Sequence, residues 1–463
     1  MTKTVSIIGG GLAGSEAAWQ AANLGVKVKL YEMRPVKQTP AHKTDRFAEI
    51  VCSNSLKSDE PGTAPFMLKE ELRRGRSLIM EAAHQTRVPA GAALSVDRIR
   101  FADYITEKIS SHPNIEIIRS EVNALPSDDE IAVIATGPLT SDALAEEIIR
   151  FTGNDQLYFY DAIAPIISAD SINYEIAFRA ARYGKGGDDY INCPLNREEY
   201  ESFYSELASA SSVPLKRFEE TRWFESCLPI EELARRGFDT LRFGPMKPKG
   251  LVDPRTGKEP FACVQLRQEN LMADAYGMVG FQNHLRYGEQ ERVFRLIPGL
   301  ESAEFLQLGQ IHRNTYINSP KVIDETLSAR KRPTLFFAGQ ITGVEGYIES
   351  VATGWIAGIN AAFMASGKEL VKAPASTATG ALCRYVSKYD ADNFQPVNIM
   401  FGLLEPLPAS YLAEIGNKKL SKKEKRILQV ERGLSDWTVW LGKILKGQKS
   451  ADIPLDYSLI QPA

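Results

Sequence analysis

Cysteine and histidine are scarce in this chain, with five of each among 463 residues. The cysteines lie at 52, 193, 227, 263 and 383. Their number is odd and no CxxC or HxxxH pair occurs, which excludes a disulfide framework or an ordinary zinc site. Metal ligation is therefore not expected. The formal charge is only −3, which excludes a wholly basic nucleic-acid coat protein but not a local basic patch. Apolar runs are short: IAVIA at 131–135 is typical of the longest, far below the ~18 residues of a membrane span. The N-terminus, MTKTVSIIGGGLAG, lacks a charged-then-apolar leader, so a cytoplasmic protein with reduced thiols is expected. There is no internal repeat. Chemistry must come from a bound cofactor or from individual thiols.

The opening is rich in information. Residues 5–8 predict a buried strand, 9–14 a glycine turn, 15–24 a helix ended by Gly25, and 26–31 a second strand. Gly9-x-Gly11-x-x-Gly14 thus stands between strand and helix, where a dinucleotide fingerprint belongs. Gly9 permits the turn, Gly11 lets a pyrophosphate approach the backbone, and Gly14 allows close packing. Gly10, Leu12 and Ala13 complete the phosphate-facing turn. Glu32, 18 residues beyond Gly14, is placed to bind a ribose hydroxyl.

Two later segments resemble FAD-binding proteins of the glutathione-reductase type. One is the strand 131–135 running into Gly137. The other is the strand 334–338 followed by Gly339, Gln340, Gly343, Gly346 and a helix from Tyr347 to about 365. A helix N-terminus near Gly346 would face the N1/C2=O edge of a flavin. No second GxGxxG supports a permanent nicotinamide domain. The expected fold is α/β: a glutathione-reductase-type FAD-binding Rossmann domain in two parts, 1–158 and 314–463, with a smaller α+β domain inserted at 159–313. The second part ends in a basic helical tail.

A broader resemblance spans the chain to about residue 406. Its carriers include VCSNSLKS (51–58), VPAGAALSVDR (88–98), NCPLNREEYESFY (192–204) and FESCLPIEELARRGFDTLRFGPMKPKGL (224–251). VQLRQEN (264–270), VGFQNHLRYGEQERV (279–293), IHRNTYINSP (311–320) and FAGQITGVEGYIES (337–350) continue it. Together these resemble the folate- and FAD-dependent tRNA (uracil-5-)-methyltransferases (TrmFO). Asn283 and Ser226 depart from the family pattern, where Thr and Gly are expected. Related GidA-type flavoproteins are longer, with an extra C-terminal helical domain. The resemblance implies formation of 5-methyluridine at position 54 of the tRNA T-loop. It implies carbon from 5,10-methylenetetrahydrofolate and electrons from NAD(P)H through FAD.

Uracil C5 becomes nucleophilic only after a group adds at C6, a step suited to a thiolate. By resemblance Cys227, just before Pro229, is the nucleophile, and Cys52 or a neighbour removes the C5 proton. Cys193, Cys263 and Cys383 read as structural. The His312-Arg313-Asn314 run reads as a phosphate or folate-carboxylate contact, or equally as a surface cluster. Residues 235–258 carry a net +5 and adjoin Cys227, so Arg235, Arg236, Lys247 and Lys249 are assigned to RNA. Residues 416–449 carry +7 without a link to the chemistry, and form a secondary contact. No membrane association or obligate protein partner is expected. Rival readings are the same chemistry on a ribosomal RNA uridine, a small-molecule FAD-dependent NAD(P)H oxidoreductase, and an FAD-stabilised RNA-binding protein.

Overall fold

All four residues of the strand Val5–Ile8 are buried because parallel partners flank it on both sides. Val5 pairs with Val28 on one side and with Ile131 on the other. The computed structural model describes residues 3–153, 157–184, 187–214, 228–410 and 420–445. Its main sheet runs in the order 328–329, 332–337, 131–134, 5–8, 28–31 and 115–118. The last five strands are parallel and the first is an antiparallel edge. This is the expected Rossmann-type sheet, completed by a strand from more than 300 residues downstream of the first.

The helix after the first strand is Leu12–Asn23, with Gly11 as its N-cap. It starts three residues earlier than the glycine content suggests, so Gly14 lies within its first turn. A Cβ at Gly14 would sit 1.8 Å from the Gly9 carbonyl oxygen, which is why only glycine fits. The same helix packs on Tyr347–Ala365, which is buried along nearly its whole length. Their contact is close because Gly354 and Gly358 face Ala13 and Ala17 at one-turn spacing. A Cβ on Gly354 would lie 2.3 Å from the Ala13 carbonyl oxygen, and one on Gly358 would lie 2.5 Å from that of Ala17.

A second six-stranded sheet is antiparallel, in the order 178–179, 190–195, 262–268, 275–278, 166–168 and 305–307. It has its own core, including Tyr200, Phe203, Phe281 and Phe294. The strands Leu157–Ala162 and Ile311–Tyr316 pair antiparallel, so the chain leaves and re-enters the main sheet's side along one ribbon. The C-terminal helix Lys422–Ile444 is capped reciprocally by Ser421 and Glu424. Trp437 in its second half is fully buried, 5.3 Å from Trp355, and donates to the Glu71 carbonyl at 2.7 Å. That aromatic contact is worth about 0.5–1.5 kcal/mol beyond burial. Its first half leaves Lys422, Lys423, Lys425 and Arg426 exposed.

Candidate functional site

The glycine turn opens on a cavity of about 610 Å³ lined by Gly9, Gly10, Gly11, Glu32 and Arg34. A Cβ at Gly11 would meet nothing within 4 Å, leaving room at the helix N-terminus for an anion. Gly9 has φ +106° and a Cβ there would strike the Ala135 carbonyl oxygen at 2.5 Å. Glu32 is buried and accepts from the Gly10 amide at 3.0 Å. Its other partner is Arg34, whose backbone N–H and Nε reach Oε1 at 3.0 and 2.9 Å and whose Nη2 reaches Oε2 at 3.2 Å. Burial pushes the Glu32 carboxyl up, but the Arg34 and Gly10 bonds outweigh it and hold the pKa below the usual range.

Gly11, His42, Thr136, Pro138 and Leu139 are shared with a larger cavity of about 1420 Å³. Gly137, Gly339, Gln340, Gly346 and Tyr347 all line it, as do Leu12 and Ala13. Gly343 does not, but its φ of +83° turns the chain toward the helix, and a Cβ there would strike Phe394. The N-terminus of helix Tyr347–Ala365 therefore faces the same space as the glycine turn.

Cys52 lies in that cavity. Its thiol donates to Asp161 Oδ2 across 3.5 Å, and its amide donates to the Tyr347 hydroxyl at 2.9 Å. Burial raises the thiol pKa well above the usual value, with the Asp161 and Glu345 carboxylates adding and Arg98 opposing. Two arginines fix the turn. Arg98 donates to the carbonyls of Ile50, Val51 and Cys52 at 3.3, 3.1 and 3.4 Å while paired with Glu269 at 2.7 Å. Arg267, on the second sheet, donates to Ser53 Oγ at 2.7 Å and Asn54 Oδ1 at 2.8 Å.

Lys57 adopts φ +64°, uncommon for a lysine. Fully buried Lys69 holds that turn by donating to the carbonyls of Leu56, Lys57 and Ser58 at 3.1, 3.2 and 2.6 Å. The conformation delivers Lys57 Nζ to Glu349 Oε1 at 2.5 Å, on the first turn of helix Tyr347–Ala365. Gln340 donates to Glu345 Oε2 at 2.7 Å. Burial and the Asp161 charge push the Glu345 carboxyl well up, with Lys57 pulling the other way. Lys57, Asp161, Glu345 and Arg98 were not singled out from sequence. Lys57, Arg98 and Glu345 lie inside quoted motifs, but nothing local marks Asp161.

Cys227 lies outside the described residues. Cys193, Cys263 and Cys383 are buried, and burial pushes Cys263 and Cys383 up to about 12, which keeps both thiols neutral. Arg235, Arg236, Lys247 and Lys249 are exposed. Arg235 is also a structural tie, donating to Glu232 Oε1 at 2.6 Å and to the Ala210 carbonyl at 3.2 Å. Lys249 stands 3.5 Å from Glu259. Asn314 is buried and lines the larger cavity; the side chains of His312 and Arg313 lie outside the described ones. Buried Asn283 serves as a turn brace, accepting from the Leu285 amide at 3.2 Å and donating to the Phe281 carbonyl at 3.1 Å. Among the described residues no helix is long and apolar enough to cross a membrane, and no group of three His, Cys, Asp or Glu could hold a metal ion.

Residues 4–369 match the family model described as glucose inhibited division protein A. The chain is 57% identical over 441 residues to methylenetetrahydrofolate–tRNA-(uracil-5-)-methyltransferase TrmFO of Koribacter versatilis, covering 95% of this chain and 98% of that one. It is 56% identical to the protein of that name from Aquifex aeolicus, covering 95% and 97%. Among solved structures, Aquifex aeolicus GidA is similar in its form II crystal, with TM-score 0.63 at 16% identity, covering 98% of this chain and 91% of that one. The form I crystal gives TM-score 0.64 at 18% identity, covering 95% and 80%. At such identities the likeness concerns the fold.

Proposed function

The chain belongs to the folate- and FAD-dependent tRNA (uracil-5-)-methyltransferases (TrmFO) within the glucose inhibited division protein A family, and on that footing we propose how its residues divide the work. It is a methylenetetrahydrofolate–tRNA-(uracil-5-)-methyltransferase and a flavoprotein. The observation that carries the site assignment is that Cys52 opens on the same cavity as the glycine turn and the N-terminus of helix Tyr347–Ala365.

The cavities suit a dinucleotide. The turn 9–14 holds the pyrophosphate, and a ribose hydroxyl at Glu32 would replace the longest of its four bonds, the 3.2 Å contact from Arg34. Gly137, Gly339, Gln340, Gly343, Gly346 and Tyr347 surround the ring end. There the helix amides supply partial positive charge. When bound, FAD supplies the redox step that turns a transferred methylene into a methyl group.

Cys227 adds to uracil C6 and makes C5 nucleophilic. Cys52 and Asp161 act together on the C5 proton: the thiol passes its proton to the Asp161 carboxylate as sulfur receives the one leaving C5. The raised thiol pKa fits this role, because a resting thiol beside a carboxylate is a relay rather than a second nucleophile. The target is the T-loop uridine at position 54, the reductant is NAD(P)H, and Lys247 and Lys249 contact RNA phosphates. Methylation of undermodified tRNA by flavin-loaded enzyme with folate or reductant omitted, and by enzyme stripped of its flavin, tests this reading. Each omission should abolish product. Product formed without folate would overturn it.

A further inference from the structure

A separate cavity of about 1110 Å³ lies across the 39–42 turn from the cofactor space. Pro40 lines it, whereas Ala41 and His42 line the larger cavity, so one turn is the partition between them. Its other walls include Val213, Pro214, His284, Arg286 and Tyr287. Val213 is tied into its wall. The Val213 amide donates to the His284 carbonyl at 2.8 Å, and the Ile230 amide donates to the Gln282 carbonyl at 2.7 Å.

Tyr287 is 54% exposed, and its hydroxyl accepts from Gln310 Nε2 at 3.1 Å, so the ring presents a fixed face rather than a free rotor. Arg286 beside it is exposed, and its amide is tied to the Ser211 carbonyl at 3.1 Å. At the floor, the His284 ring is fixed by Glu231, with Nδ1 2.6 Å from Oε1. A held aromatic face, an outward guanidinium and apolar walls suit one ligand chemistry: an unpaired nucleobase with its phosphate. An apolar peptide would have no use for the arginine, and a free anion none for the ring.

We infer that this cavity is an RNA subsite, in which a nucleotide flanking the target uridine stacks on Tyr287 and sets its phosphate against Arg286. The inference rests on the reading of tRNA as substrate and adds where the strand goes once the uridine is drawn from its stack. Tyr287→Ala should raise the KM for tRNA about tenfold or more, since a lost base stack costs that order, with kcat changed far less. Arg286→Ala should flatten the salt dependence of tRNA binding by about 0.7–0.9 in log–log slope. Tyr287→Phe keeps the ring but loses the Gln310 bond, and should lose far less than Tyr287→Ala. FAD content and RNA-free NAD(P)H oxidation, which report the fold, should be unchanged in all three.

A T-arm hairpin carrying 2-aminopurine beside the target uridine gives a direct readout. Wild type and Tyr287→Phe should quench it by stacking, and Tyr287→Ala should not. Equal quenching and equal KM in Tyr287→Ala would overturn the subsite, as would a Tyr287→Phe variant as weak as Tyr287→Ala. A wild-type enzyme that methylates no tRNA would instead fail the functional reading and take this inference with it.

Discussion

Cys52 and Asp161 are 109 residues apart in sequence, yet the thiol donates to the carboxylate across 3.5 Å inside the cofactor-side cavity. Burial and this charge together keep the thiol protonated. Asp161→Asn removes the charge while leaving burial in place, so the thiol pKa should fall. A fall of one unit would raise the thiolate fraction, and hence alkylation of Cys52 by iodoacetamide near pH 8, by about tenfold. Methylation should drop because the proton acceptor is gone. Peptide mass spectrometry of the labelled protein measures the first effect; an unchanged alkylation rate would remove Asp161 from the relay.

Two glycines should separate flavin binding from folding. Gly354→Val forces a side chain into the Ala13 carbonyl, so the helix pair must part, with a loss of about 1–3 kcal/mol or more and of flavin with it. At Gly11 an added Cβ meets no neighbour and φ is an ordinary −73°, so the fold should survive Gly11→Val while the pyrophosphate site is filled. Thermal melting and flavin absorbance after purification measure both. Flavin retained by Gly11→Val would contradict the placement.

Glu71 shows how buried carboxylates should set the pH profile of stability. It caps the helix Ala378–Lys388, accepting from the Ala378 and Thr379 amides at 2.7 and 2.8 Å. Burial raises its pKa from 4.5 to about 7 against those bonds. Because the folded value exceeds the unfolded one, its contribution is fully present below pH 4.5 and is lost as pH rises through 7. Urea unfolding at pH 5 and pH 8 should therefore show a smaller stability difference in Glu71→Gln than in wild type. An identical difference would mean the carboxyl does not titrate on unfolding.

The thiols should differ in what their loss does. Cys227→Ala should abolish methylation and the covalent complex with 5-fluorouracil-containing tRNA, while FAD content stays normal. Cys52→Ala should lose methylation but keep the covalent complex, since proton removal follows addition. Gel shift under denaturing conditions distinguishes them. A covalent complex formed by Cys227→Ala would reassign the nucleophile.

Much of the cofactor half was legible because its constraints are local. A GxGxxG turn fits five consecutive residue steps, and helix 347–365 follows from a glycine turn ending at Gly346 and a mostly apolar, proline-free stretch after it. The helix start was misplaced by glycine content, since Gly11 caps a helix that already includes Gly14. The surroundings of Cys52 were illegible for the opposite reason. Lys57 meets Glu349 across 292 residues, and Arg267 meets Ser53 across 214. No spacing rule links such residues; only tertiary packing brings them together. Arg235 likewise read as a phosphate contact by charge, whereas its guanidinium also ties its own helix, Ile230–Arg236, to the Ala210 carbonyl.

Passage of a one-carbon unit from folate to uracil C5 in the Cys52 cavity should leave an isotopic trace. Incubating FAD-loaded enzyme, NAD(P)H and undermodified tRNA with 5,10-methylenetetrahydrofolate labelled with carbon-13 in its methylene, then digesting the tRNA for mass spectrometry, measures it directly. Every new methyl carbon of 5-methyluridine should carry the label, and no 5-methyluridine should form with Cys52→Ala or Cys227→Ala. New 5-methyluridine without the label would contradict it.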